Sequence, residues 1–125
     1  MKNKKNDKKT EMVYEEWLYM NSKEITVVDI NEVVKDIVEI DLWDELGVIS
    51  LKLDDKAYID IEEIETDLGN DEENKFVSDN NIKSICQVKL PKQYIKGAEE
   101  KMKLIIKGIG GFFVKDNGNF DIIIK

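Results

Sequence analysis

The stretch Val38–Glu62, VEIDLWDELGVISLKLDDKAYIDIE, carries three apolar runs of period two: Val38, Ile40, Leu42; Ile49, Leu51, Leu53; and Ala57, Ile59, Ile61. Successive side chains of a strand point to opposite sides of the pleat, so the pattern predicts three half-buried strands. A four-residue turn, Asp44 to Gly47, sets Leu42 opposite Ile49, Ile40 opposite Leu51 and Val38 opposite Leu53. A three-residue turn, Asp54 to Lys56, then sets Leu53 opposite Ala57, Leu51 opposite Ile59 and Ile49 opposite Ile61. Every apolar residue of the three runs falls on one face of a meander over 37–62. A one-residue slip would turn a strand's apolar set into water, at roughly 1.5–3 kcal/mol for each Leu or Ile. The rival arrangement is a helix over Asp55–Leu68, in which Tyr58, Ile61, Ile64 and Leu68 keep helical spacing ahead of Gly69.

On the N-terminal side, Glu24–Asp29 is rich in β-branched residues and reads as a strand. Asp29 and Glu32 then have the spacing of a capping box opening a short helix that ends by Asp36. Met12–Met20 places Val13, Tyr14, Trp17 and Leu18 at helical spacing and is read as a helix, with a strand as the alternative because aromatic residues are enriched. Residues 1–10 hold five lysines among Asn and Asp with almost nothing apolar, and are expected to be a disordered basic tail. Residues 11–125 are expected to form a single α+β domain.

On the C-terminal side, Thr66–Asn81 is dominated by Asp, Asn and Glu around Phe76 and Val77, and reads as a long polar loop. Strand alternation returns over residues 82–90, with Ile82, Ser84, Cys86, Val88 and Leu90 on one face. Pro91 stops it and opens a helix over 92–107 whose Ile95, Ala98, Met102 and Ile105 step by three and four until Gly108. Asn117-Gly118 is the strongest short hairpin signal in the chain and predicts a C-terminal hairpin over 111–125, with Phe113 beside Ile122 and Phe112 beside Ile123. Apolar weight on both of its faces argues for a place inside the sheet. The expected fold is thus a two-layer α+β domain, a mainly antiparallel sheet packed by the helix over 92–107, with a further helix near the N-terminus.

Composition narrows the chemistry. The 125 residues include no histidine, which excludes histidine-based acid–base catalysis, histidine-activated nucleophiles and histidine-ligated zinc. Cys86 is the single cysteine. It forms no intrachain disulfide, keeps step with Val88 and Leu90, and reads as a buried, inert thiol in a reducing, cytoplasmic setting. The glycines at 108, 110 and 111 follow a helix rather than precede one, the wrong order for a phosphate-binding loop. The apolar part of Met12–Met20 is interrupted by Glu15 and Glu16 and too short to span a bilayer, so no membrane insertion is expected. All 19 basic residues are lysine, which together with abundant Ile and Asn points to an AT-rich genome such as that of a low-GC bacterium.

Charge is uneven. Between Asp29 and Glu73 there are 17 acids and 3 lysines, a net −14 within a chain of net −8. Such a belt repels phosphates, so neither nucleic acid nor an anionic membrane is an expected partner, whereas a basic protein is. The outer face of the meander would display Glu39, Asp41, Trp43, Ser50, Lys52, Tyr58, Asp60 and Glu62, two aromatic anchors among carboxylates. Glu39, Asp41, Trp43, Tyr58, Asp60 and Glu62 are the candidate partner-binding residues. No catalytic residue, metal ligand or cofactor is assigned. The functional expectation is a non-enzymatic acidic protein-binding protein, by analogy of charge and size an inhibitor or immunity-type neutraliser of a basic partner. The alternatives are a carboxylate-based metal-binding domain or small enzyme using pairs such as Glu62 and Glu65 or Asp54 and Asp55, and a subunit that self-associates through a sheet edge.

Overall fold

The computed structural model describes residues 13–125, so the expected basic tail over 1–10 lies outside the described residues. The meander forms β2 (Ile40–Trp43), β3 (Val48–Asp54) and β4 (Ala57–Ile64), joined at Asp44–Leu46 by one turn of 3-10 helix and by Gly47 in the left-handed conformation. Leu42 pairs with Ile49, Ile40 with Leu51, Leu51 with Ile59 and Ile49 with Ile61, the register that burial demands, and 57–64 is strand rather than helix. Two pairs differ from the expectation. Val38 lies ahead of β2, and its pairing with Leu53 is absent. Asp54 rather than Leu53 faces Ala57, because β3 carries a bulge between Lys52 and Asp54 that shortens the turn.

Among the described residues seven strands make one antiparallel sheet in the order β2-β3-β4-β5-β1-β6-β7, with β1 at Tyr14–Asn21, β5 at Ser84–Pro91, β6 at Phe112–Lys115 and β7 at Ile122–Ile124. One face is covered by α1 (Val27–Val34) and α3 (Ile95–Ile109). It buries Ile49, Leu51, Ile59, Ile61, Val88, Leu90, Trp17, Tyr19 and Phe113 with Ile30 and Val34 of α1 and Ala98, Met102 and Ile105 of α3. This is the two-layer α+β arrangement. A second, smaller core lies on the reverse face at the β1–β6 end, where Leu18, Met20, Ile85 and Val114 pack against α2 (Asp71–Asp79), Ile82 and Phe120.

Four local expectations are corrected by this arrangement. Of Met12–Met20, read as helix, residues 14–20 belong to the interior strand β1: Trp17 and Tyr19 point into the first core while Leu18 and Met20 point into the second, so a strand buried on both faces loses the alternation that would have marked it. Glu24–Asp29, read as strand, is the entrance to α1. The capping box there is Thr26 with Asp29 rather than Asp29 with Glu32, and the Thr26 N–H donates to Asp29 Oδ2 at 2.8 Å. The loop read over Thr66–Asn81 contains α2, started by Asn70, whose side chain accepts from the Glu73 N–H at 2.8 Å. Its apolar pair, Phe76 and Val77, roofs the second core. The last hairpin pairs Phe113 with Ile124 and Val114 with Ile122, and β7 is an edge strand, not an interior one. Asn117 Oδ1 accepts from the Asn119 and Phe120 N–H groups, which lengthens the turn and drops Phe120 into the second core.

The helix over 92–107 begins with a 3-10 turn at Lys92–Tyr94 and continues past Gly108 to Ile109. Gly108 marks a close approach rather than an end, since a Cβ there would lie 2.6 Å from a Val33 methyl of α1. Gly111 answers two demands: its φ is +85°, and a Cβ would lie 2.6 Å from the Met20 carbonyl oxygen and 2.7 Å from the Tyr19 ring. Gly69 has a similar φ of +88° but open space around it. Gly111→Ala is therefore expected to cost roughly 2–4 kcal/mol in denaturant unfolding and Gly69→Ala only about 1 kcal/mol; equal costs would show that backbone conformation alone holds Gly111.

Candidate functional site

The parity that buries the apolar half of β2–β4 beneath α1 and α3 turns the other half outward on the reverse face. Because α2 roofs only the β1–β6 end of that face, the β2–β4 end stays uncovered among the described residues. Asp41, Ser50 and Asp60 stand opposite one another across β2, β3 and β4. Adjacent strands lie about 4.8 Å apart, so the backbones of the two aspartates flank Ser50 at a separation on the order of 10 Å. Ser50 is 7% exposed, and its hydroxyl donates to Asp60 Oδ1 at 2.6 Å, which fixes that carboxylate.

Aromatic rings complete the site. Trp43, the last residue of β2, is 46% exposed, far from the burial usual for this residue type. Tyr58 lies two residues before Asp60 on β4, and Tyr14 enters at the start of β1, also 46% exposed. Tyr14, Trp43 and Tyr58 line one open groove of about 350 Å³ with Asp41, Asp60, Ser50 and Lys56. The Lys89 ammonium already lies over the Tyr14 ring, 4.9 Å from its centroid.

Of the candidate residues read from sequence, Asp41, Trp43, Tyr58 and Asp60 come together in this groove. Glu62, opposite Val48 and Gln87, is exposed on the same face but outside the groove. Glu39 is drawn away. It accepts from Lys52 Nζ at 3.1 Å, and with Lys52 and Asp55 it lines a separate depression over Leu53. That hydrogen bond, reinforced by the charge of Glu39, holds the Lys52 ammonium above the ordinary lysine range. Tyr14 was missed, since only the insertion of β1 beside β5 brings it to the meander. The enrichment of aromatic residues in that segment was the available signal.

Other chemically capable groups are committed to structure. Tyr19 donates its hydroxyl hydrogen to the Gly110 carbonyl at 2.6 Å. Asn21, 1% exposed, donates to Tyr19 Oη and to the Ile109 carbonyl and accepts from the Lys23 N–H, so the end of α3 is tied to β1. Cys86 is buried, and burial first, then the charge of Glu63, pushes its thiol up to about 12. Glu63 itself accepts from the Val27 N–H at 2.8 Å, at the start of α1. Among the described residues no group of three or more acidic or thiol side chains is placed to hold a metal ion, and no helix is long and apolar enough to cross a membrane. No protein-family model matches the sequence, and neither a curated protein nor a solved structure matches the chain.

Two outcomes test this assignment of the buried groups. Thiolate is the reactive form, so Cys86 is expected to resist iodoacetamide at pH 8 in the native protein and to react promptly in denaturant; rapid native labelling would contradict its burial. Burial also raises the Tyr19 hydroxyl from 10.0 to about 12. An acid whose native pKa exceeds its unfolded value holds its proton longer when folded, so its contribution is complete below the unfolded pKa and lost as pH rises toward the native one. The stability difference between wild type and Tyr19→Phe is therefore expected to narrow from pH 10 to 12. A constant difference would show that Tyr19 ionises as readily folded as unfolded.

Proposed function

We propose that this chain is a non-catalytic binding protein whose acidic, aromatic-bearing sheet face docks on a basic protein. The observation that supports the reading most is Trp43, left half in water at the β2–β4 end of the reverse face, the end that carries Asp41, Asp60 and Glu62 and that α2 does not reach. Folding gains little from an indole held there, whereas binding gains much, because a large rigid ring contributes contact area at low entropic cost. The surrounding charge has one dominant sign. The acidic belt, 17 acids against 3 lysines between Asp29 and Glu73, supplies a field that accelerates encounter with a positive surface and repels nucleic acid. An inhibitor-type role, in which the face masks the basic working surface of another protein, is the finer form of this reading.

Affinity capture with the full chain from its source cells, at low and high salt, tests it. A basic protein is expected to be retained at low salt and released at high salt. Trp43→Ala, Asp41→Lys and Glu62→Lys are each expected to weaken retention at least ten-fold, about 1.4 kcal/mol, with unchanged thermal unfolding. Retention that none of the three variants alters would overturn the proposal.

A further inference from the structure

Resting on the reading of the face as a docking surface, we infer that the groove between Tyr14, Trp43 and Tyr58 is the receptor for one arginine side chain of the basic partner, stacked on the rings and paired with Asp41 and Asp60. Four observations converge on this occupant.

The groove combines ring faces with carboxylates, the two features a guanidinium uses together. Its plane stacks on an aromatic ring while its forked N–H donors bond a carboxylate from the side. An ammonium satisfies the carboxylates but gains less from the rings, since it is more strongly hydrated and has no flat face. A neutral side chain gains the rings but adds no counter-charge for the carboxylates beyond the neighbouring Lys56 and Lys89.

The carboxylates are set for such a guest. Ser50 bonds one oxygen of Asp60, the other having no hydrogen-bond partner among the described residues, and the same serine stands between Asp60 and Asp41 on the intervening strand. A planar cation entering between them meets a carboxylate at each end. One of the rings already holds a cation in this fold: Lys89 on β5, directly opposite both Asp60 and Glu16, places its ammonium over Tyr14, which leaves Trp43 and Tyr58 as the rings for a guest. An incoming guanidinium would thus occupy the unfilled counterpart of an interaction that the chain makes with itself.

Finally, none of the 125 residues is arginine, so no residue of this sequence, nor of a second copy of it, supplies the guest. Lys56, which also lines the groove, opposes the cation by its own charge, which gives the inference a sign to check.

The test uses the full chain and a capped tri-arginine peptide, with tri-lysine and tri-citrulline peptides of the same length, followed by the two indole N–H resonances in proton–nitrogen correlation spectra. The chain has two tryptophans, and Trp17 is buried in the first core, so its resonance serves as an internal reference. Tri-arginine is expected to shift the Trp43 resonance saturably and leave Trp17 in place, tri-lysine to bind several-fold more weakly, and tri-citrulline to give no saturable shift. Asp60→Asn is expected to weaken tri-arginine at least five-fold and Lys56→Glu to strengthen it. Glu62→Lys, on the face but outside the groove, is expected to change it less than two-fold while still weakening capture of the partner. A still Trp43 resonance, or equal shifts with tri-arginine and tri-citrulline, would overturn the groove assignment. If Glu62→Lys and Asp41→Lys still abolished capture in that case, the wider docking face would stand without it.

Discussion

Every strand of the meander has one apolar side, which packs beneath α1 and α3, fully buried at Ile49, Leu51, Ile59 and Ile61 and partly buried at Ile40, Leu42 and Leu53. From this constraint the remaining arrangement follows. With Ile49, Leu51, Ile59 and Ile61 fixed beneath the helices, the pleat leaves Asp41, Ser50, Asp60 and Glu62 no direction but the opposite one. Carboxylates at that density resist burial, since each would need a compensating donor once removed from water. The reverse face at this end therefore stays hydrated. At the other end, where Leu18, Met20, Ile85 and Val114 occupy the same side, burial resumes and α2 provides the cover. One sheet face thus carries a core at one end and an acidic, ring-bearing groove at the other.

The strand that joins these two regimes is β1. It pairs with β5 along Tyr14–Asn21 and with β6 along Trp17–Met20, contributes to both cores, and ties down the end of α3 through Tyr19 and Asn21. Its first residue, Tyr14, reaches the groove. The groove is consequently assembled from β1 and from the meander, segments far apart in sequence, and its shape depends on the long-range pairing that sets the sheet order. A site on strand backbone is held more firmly than one on loops, which suits the recognition of a rigid planar group.

How much of this was legible in the sequence follows from how many faces each segment buries. Strands with one wet face advertise themselves: Ile40, Leu42, Ile49, Leu51, Ile59 and Ile61 alternate with polar or charged residues, and their pairing was readable to the residue. The helix carrying Ala98, Met102 and Ile105 was equally plain. Tyr14–Asn21 is buried on both faces over most of its length, so periodicity was silent and the sheet order with it. Phe76 and Val77 gave too short an apolar signal to reveal α2 without the second core that receives them. Of the groove, Asp41, Trp43, Tyr58 and Asp60 were legible because they share the parity of one meander. Tyr14 was not, because nothing local places β1 beside β5.

Charge, exposure and ring placement at the open end of the sheet support the proposed recognition role and its proposed cationic guest. All of it depends on the reverse side of the meander being open to water in the full chain, residues 1–12 included. Hydroxyl-radical footprinting with residue-level readout measures this directly. The expected result is rapid oxidation of Trp43 and Tyr14 alongside protection of Trp17 and Tyr19, residues of the same two types buried in the first core. Protection of Trp43 and Tyr14 to the level of Trp17 and Tyr19 would contradict an open face.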